Sequence, residues 1–294
     1  MFYYSLFRLF EILFLALPNA VQKAFALGLA KFLFLIDAKH KKIIKANLDL
    51  TIKDKISHEV YQRILKNCHK NLALVVLQVL RSSKMTLPQM EAMVSFENRE
   101  IVDAALKEGK PIIFVSAHYG NWELGATALS ALITPTTSIH KKMNDAYFDN
   151  YLMRSRTKFK MTMAEKKGAI KHLLKALKQN NSLSMMIDQN VNPRDGIFVN
   201  FLGAKATQTS APAFLARKFD LKIIPLLINT APNKEHVITF FKPIIVEKTD
   251  NAEADILKAS QAQADLFSSV IIKHPEPWFW CHKRWKTAHE EIYK

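Results

Sequence analysis

The stretch Pro111-Ile112-Ile113-Phe114-Val115, continued by Ser116-Ala117-His118-Tyr119-Gly120-Asn121-Trp122-Glu123, decides how this chain is read. Its apolar run lies between Gly109-Lys110 and Gly120-Asn121 and reads as a buried strand. Asn121 is placed to cap a helix running through Leu124, Ala128 and Leu132, with Trp122 and Glu123 in its first turn. A strand feeding a helix in this way puts His118 at the strand's carboxyl end, where open α/β sheets place their ligands. Glu123 is then expected to reach back and hold the imidazole. Spacing alone is weak, however. His118 also fits as an ordinary polar residue at a strand end, with Glu123 a carboxylate favoured by the helix dipole.

The same grammar continues outward. Strands are expected at Ser182–Ile187, Ile197–Phe201, Lys222–Ile228 and Val237–Val246. Helical patterns at Lys166–Leu177, Ser210–Phe219 and Ala252–Lys273 separate most of them. Alternation of this kind implies an α/β fold with a mixed, mostly parallel sheet flanked by helices. Residues 41 to 95 show helical periodicity with few strand cues, Pro88 dividing two helices. Cys68 falls on an apolar face there and reads as packing. With Cys281 as the only other cysteine, a disulfide framework and a cysteine-rich zinc site are excluded. The organisation expected is an anchor over 1–36, a helical segment over 37–95 and an α/β domain over 96–294.

A histidine with a carboxylate behind it suits a reaction in which a hydroxyl loses a proton while attacking a carbonyl. One ring nitrogen takes the proton, and the carboxylate on the other fixes the tautomer and stabilises the imidazolium. There is no Gly-x-Ser-x-Gly elbow and no cysteine near a candidate base, so a covalent acyl-enzyme is not indicated. Asp188 ends a predicted strand and should open onto the same edge as His118. Gln189, Asn190, Asn192 and Arg194 gather polar groups beside it, as a binding loop or as an Asx-rich turn ending at Pro193.

His118 to Glu123 matches the His-x4-Asp/Glu signature of glycerolipid-type acyltransferases. The wider pattern resembles the late acyltransferases of lipid A biosynthesis. The pieces that carry it occur in order: Asp188-Gln189, Pro193-Arg194, Ile197-Phe198-Val199-Asn200-Phe201-Leu202-Gly203, then Ala206 and Thr209, and a terminal Pro277-Trp278-Phe279-Trp280-Cys281-His282-Lys283-Arg284-Trp285-Lys286. Arg154 and Arg156 fall where family members carry arginines. His140-Lys141 departs from the family's Tyr-Arg, and Lys141 offers only a point charge where arginine would bind bidentately. The resemblance implies an O-acyltransferase moving a fatty acyl chain from an acyl carrier protein or coenzyme A thioester to a hydroxyl of a Kdo-containing lipid A precursor. His118 would be the general base, Glu123 its orienter, and Lys141, Arg154, Arg156, Asp188, Gln189 and Arg194 substrate-binding residues. The thioester oxyanion would be met by backbone amides near Gly120 or by Lys141 and Arg154. This chemistry needs no metal and no cofactor beyond the thioester co-substrate.

Composition and the N-terminus point to a membrane surface. Lys and Arg total 42 against 26 acidic residues, a formal net charge of +16 that attracts anionic partners. The family resemblance implies three such partners: acyl carrier protein, the lipid A precursor and anionic inner-membrane lipids. A solvated basic face would have the same composition. Phe2–Leu17 is apolar apart from Arg8 and Glu11, Pro18-Asn19 breaks it, and a second apolar stretch follows from Ala20 to Ile36. Neither half is an unbroken run of about twenty apolar residues, and no secretory cleavage site is evident. An uncleaved hydrophobic helical anchor is expected, single-pass or interfacial. Lys39, Lys41, Lys42 and Lys45 would keep its flank on the cytoplasmic face of the inner membrane.

Two alternatives stay open. The acceptor could be a lysophospholipid or another glycolipid, or the chain could be a non-catalytic basic membrane-binding protein. Nucleic acid is an improbable partner, because the aromatic-basic sheet motifs of RNA readers are missing.

Overall fold

In a computed structural model the described residues are 2–166, 168–231 and 234–294. The buried run leads to the middle of a seven-stranded sheet. Its strands in chain order are β1 (Val94–Glu97), β2 (Ile113–Ser116), β3 (Thr136–His140), β4 (Met161–Glu165), β5 (Ser182–Met186), β8 (Ile223–Ala231) and β9 (Lys234–Phe240), arranged β1-β9-β8-β2-β5-β3-β4. Every neighbouring pair is parallel except β8 with β9. A separate antiparallel hairpin is formed by β6 (Gly196–Phe201) and β7 (Ala204–Thr209).

The sequence of β2 explains its central place. Ile113 and Val115 point into one apolar layer and Ile112 and Phe114 into the other, all essentially inaccessible to solvent. A strand covered on both faces must be apolar throughout, and this one is. The first layer also takes residues from helices α3 (Ala38–Thr51) and α4 (His58–Ser82), among them Ile44, Leu48, Ile64 and Cys68. It further includes Trp278, Trp280 and Trp285, so the terminal tryptophans close the core.

The remaining helices are α1 (Phe2–Ala16), α2 (Asn19–Ile36), α5 (Leu87–Met93), α6 (Arg99–Leu106), α7 (Trp122–Leu132), α8 (Ala146–Thr157), α9 (Ala169–Lys178), α10 (Ala211–Phe219) and α11 (Ala252–Lys273). Asn121 caps α7 as expected, its side chain accepting from the Leu124 amide. Pro88 lies in the first turn of α5, behind the Thr86–Gln89 capping box. The strand expected to reach Val246 stops at Phe240. Pro243 has no N–H to extend the ladder, and only an isolated bridge from Ile244 to Ile223 follows.

Gly120 makes the turn between β2 and α7 possible. Its φ is +56°, and a Cβ there would stand 2.1 Å from the carbonyl oxygen of Ile228. Gly120→Ala is therefore expected to cost roughly 1–3 kcal/mol from the backbone conformation alone. The clash adds to that, and a denaturant melt measures the total. Wild-type stability in this variant would contradict the turn.

Candidate active site

The parallel register of β2 and β5 builds the site. Ser116 stands opposite Met186, so the residues two places further on, His118 and Asp188, emerge side by side. Asp188 grips the histidine twice. Its Oδ1 is 2.7 Å from His118 Nδ1, and its Oδ2 accepts from the His118 backbone N–H at 2.8 Å. A third contact, at 2.8 Å, comes from the indole N–H of Trp278. Burial opposes the charge on Asp188, yet the His118 ring, the His118 amide and Trp278 outweigh it and lower its pKa to about 2. A carboxylate facing Nδ1 makes that nitrogen the donor, so the Nε2 lone pair faces outward. Gln189 meets it, with its side-chain Nε2 3.2 Å from His118 Nε2. The rings of Trp122 and Phe279 stand 5.3 Å and 6.3 Å from the imidazole.

Glu123 does not hold the imidazole. Both of its oxygens are taken by the fork of Arg156 on α8, at 2.9 Å and 2.5 Å. The reason is positional. Asn121 starts α7 in front of Glu123, and the helix carries the carboxylate toward α8 while the neighbouring strand supplies Asp188 to the ring. Arg156 accordingly sits against the motif's own carboxylate rather than open to a ligand.

The other expected site residues are dispersed. Arg194, Arg154 and Lys141 are exposed, Arg154 in the last turn of α8 and Lys141 just past β3. His140, expected from the sequence to be a surface histidine at a strand end, is instead buried. The Gly120 amide is already donated to the Pro277 carbonyl at 3.0 Å, which removes it as an oxyanion donor. Sequence reasoning left His282 and Arg284 without a part in the site. Both are drawn to the Asp188 loop, His282 accepting from the Asn190 amide and Arg284 donating to the Gln189 carbonyl. Burial lowers the His282 pKa to about 4 and that of Arg284 to about 10, so near neutral pH His282 is uncharged and Arg284 remains a cation. Their adjacency to Trp278 in sequence was the available signal.

With this geometry in place, the comparison with known sequences is direct. The profile of the bacterial lipid A biosynthesis acyltransferases matches residues 2–287. The chain belongs to that family. The lipid A biosynthesis lauroyltransferase of Escherichia coli K12 is 22% identical over 281 residues, covering 94% of this chain and 89% of that protein. The phosphatidylinositol mannoside acyltransferase of Mycolicibacterium smegmatis is 21% identical over 213 residues, covering 68% and 66%. Among solved structures, the 1-acyl-sn-glycerophosphate acyltransferase PlsC of Thermotoga maritima superposes with a TM-score of 0.40 at 10% identity, over 83% of this chain and 97% of that one. The chain is thus an acyltransferase of lipid acceptors. Its apolar N-terminal helices fit membrane association; α2 is long and apolar enough to cross a bilayer, and only 17% of it is buried.

Proposed function

We propose that this enzyme transfers a fatty acyl chain from an acyl carrier protein thioester to a hydroxyl of a Kdo-containing lipid A precursor, with His118 as general base. The observation that carries the reading is the 2.7 Å contact of His118 Nδ1 with buried Asp188, which makes Nε2 the nitrogen that accepts a proton. The acceptor hydroxyl takes the place of the Gln189 amide at Nε2. Its proton passes to Nε2 as its oxygen bonds to the thioester carbonyl carbon, and Asp188 stabilises the imidazolium formed. The carbon–sulfur bond then breaks, and the proton goes from Nε2 to the departing thiolate. Gln189, freed from the ring, is a candidate donor to the oxyanion. Arg194 and Arg154 are exposed, and the arginine fork suits phosphate on the acceptor or on the carrier.

The expected setting is the cytoplasmic face of the inner membrane, on anionic lipid. An interfacial anchor is favoured over a single-pass one. Polar groups on α1 and α2 are tied to the rest of the protein: Glu11 accepts from Tyr151 and Ser83, and Gln22 accepts from Arg81. Phe2, Tyr3, Leu13, Phe32, Leu35 and Ile36 remain exposed on the same pair of helices, an arrangement suited to lying in the headgroup region.

The test uses membranes carrying the protein, labelled acyl carrier protein thioester and tetra-acylated Kdo-lipid A precursor, read by mass spectrometry beside a His118→Ala control. A gain of one acyl chain that vanishes in the control is expected. Acylation of lysophospholipid but not of the precursor would move the acceptor, and no transfer from any thioester would overturn the reading.

A further inference from the structure

The aromatic-basic segment from Pro277 to Arg284 is bonded to both loops that meet at the His118–Asp188 pair. On the His118 side the links are main-chain. The Gly120 amide donates to Pro277 at 3.0 Å, the Phe279 amide donates to the His118 carbonyl at 2.9 Å, and Tyr119 bridges to Trp278. On the Asp188 side they run through side chains. Trp278 Nε1 donates to Asp188 Oδ2 at 2.8 Å, Arg284 Nη1 donates to the carbonyls of Gln189 and Thr207, and His282 Nε2 accepts from the Asn190 amide.

Closing a core would need only the rings. Here the indole N–H and the guanidinium are aimed at polar atoms of the site, and Arg284 is buried at a cost. Its side chain is fully inaccessible, and its Nε and Nη2 find no hydrogen-bond partner among the described residues. The guanidinium stands 4.9 Å over the Phe201 ring, near enough to Asp188 to feel its charge. Burying a cation without a bonded carboxylate is unfavourable, and an apolar side chain of similar volume would pack there without that cost.

We infer that Trp278 and Arg284 are positioning residues for acyl transfer, fixing the orientation and charge of Asp188 and the course of Gln189 so that His118 presents Nε2 to the acceptor. The inference rests on the reading of His118 as base. The Trp278 N–H shares the negative charge of Asp188, and the Arg284 cation, close enough to feel that charge, offsets part of it. Removing either makes Asp188 a stronger partner for the protonated ring, so the base is lost to protonation at a higher pH. Among the described residues His282, from the same segment, also interacts with the charges of Asp188 and His118, while the Glu123–Arg156 pair at the start of α7 is closed on itself.

The test is Trp278→Phe in the full-length protein, which keeps a ring and removes the N–H. The acid limb of kcat/KM against pH is expected to move up by roughly half to one unit, with a loss of several-fold to tenfold on that limb that shrinks at high pH. Added to Asp188→Asn, the substitution should do nothing further. A uniform loss with an unmoved limb, or no loss, would overturn the inference. Arg284→Met, which removes the cation at similar volume, should move the same limb in the same direction, and an unmoved limb there counts equally against it. Carbethoxylation of His118 by diethyl pyrocarbonate, followed across pH by peptide mass spectrometry, needs no substrate. Its curve should shift with the same sign. If the wild type transfers no acyl chain, the functional reading fails, and this curve still decides whether Trp278 and Arg284 tune the histidine.

Discussion

His118→Ala is expected to lower kcat/KM by about 10³-fold or more, at the upper part of what a positioned base contributes. Asp188→Asn is expected to follow it closely, by about 10²- to 10⁴-fold, because an amide can turn its oxygen or its nitrogen toward Nδ1 and no longer dictates the tautomer. With the tautomer reversed, Nε2 carries a proton and has no lone pair for the acceptor hydroxyl. The shape of the site is retained in Asp188→Asn, so KM should change little while kcat falls, which a full rate-against-substrate series separates. Near-wild-type turnover in either variant would remove the base from the mechanism. Burial makes the effect large. Asp188 is 3% exposed, so no water can replace it at Nδ1 without opening the loop between β2 and α7.

How much of this was legible beforehand depends on how local each cause is. The strand β2 and the cap of α7 follow from a short run of residues: an apolar stretch, a glycine that must take a positive φ, and an asparagine in front of a helix. The edge shared by His118 and Asp188 was also readable, since both follow predicted strands. Their direct pairing was not. It depends on β2 and β5 being neighbours in register, a contact across 70 positions that no local pattern encodes. Glu123 was assigned to the ring because it is near in sequence, yet a helix's first turn fixes where its side chains go, and α8 supplied the stronger partner. By residue type alone, tryptophans beside lysine and arginine suit a packed core and a bilayer interface alike. Only the packed structure shows them buried, with one N–H turned onto Asp188.

The Glu123–Arg156 pair carries the second large expectation, and it separates two roles for the motif carboxylate. If Glu123 acts by tying α7 to α8, Glu123→Ala and Arg156→Ala should be equally damaging, and the double variant should be no worse than either. Each is expected to cost roughly 2–3 kcal/mol of stability, somewhat under the figure for a fully buried pair, because the two side chains keep about a fifth of their exposure (17% and 21%). Each should also lower kcat by about 10²-fold, since a shift of about an ångström at the start of α7 misaligns His118. Arg156→Lys should rescue little, because an ammonium cannot reproduce two parallel contacts to both carboxylate oxygens. If Glu123 instead orients the imidazole during the reaction, Glu123→Ala will be far worse than Arg156→Ala, and freeing the carboxylate from its arginine will leave much of the activity intact. Thermal unfolding beside single-turnover rates for the three variants distinguishes these outcomes. The geometry predicts the first, because both carboxylate oxygens of Glu123 are already committed to Arg156 while Nδ1 of His118 is committed to Asp188.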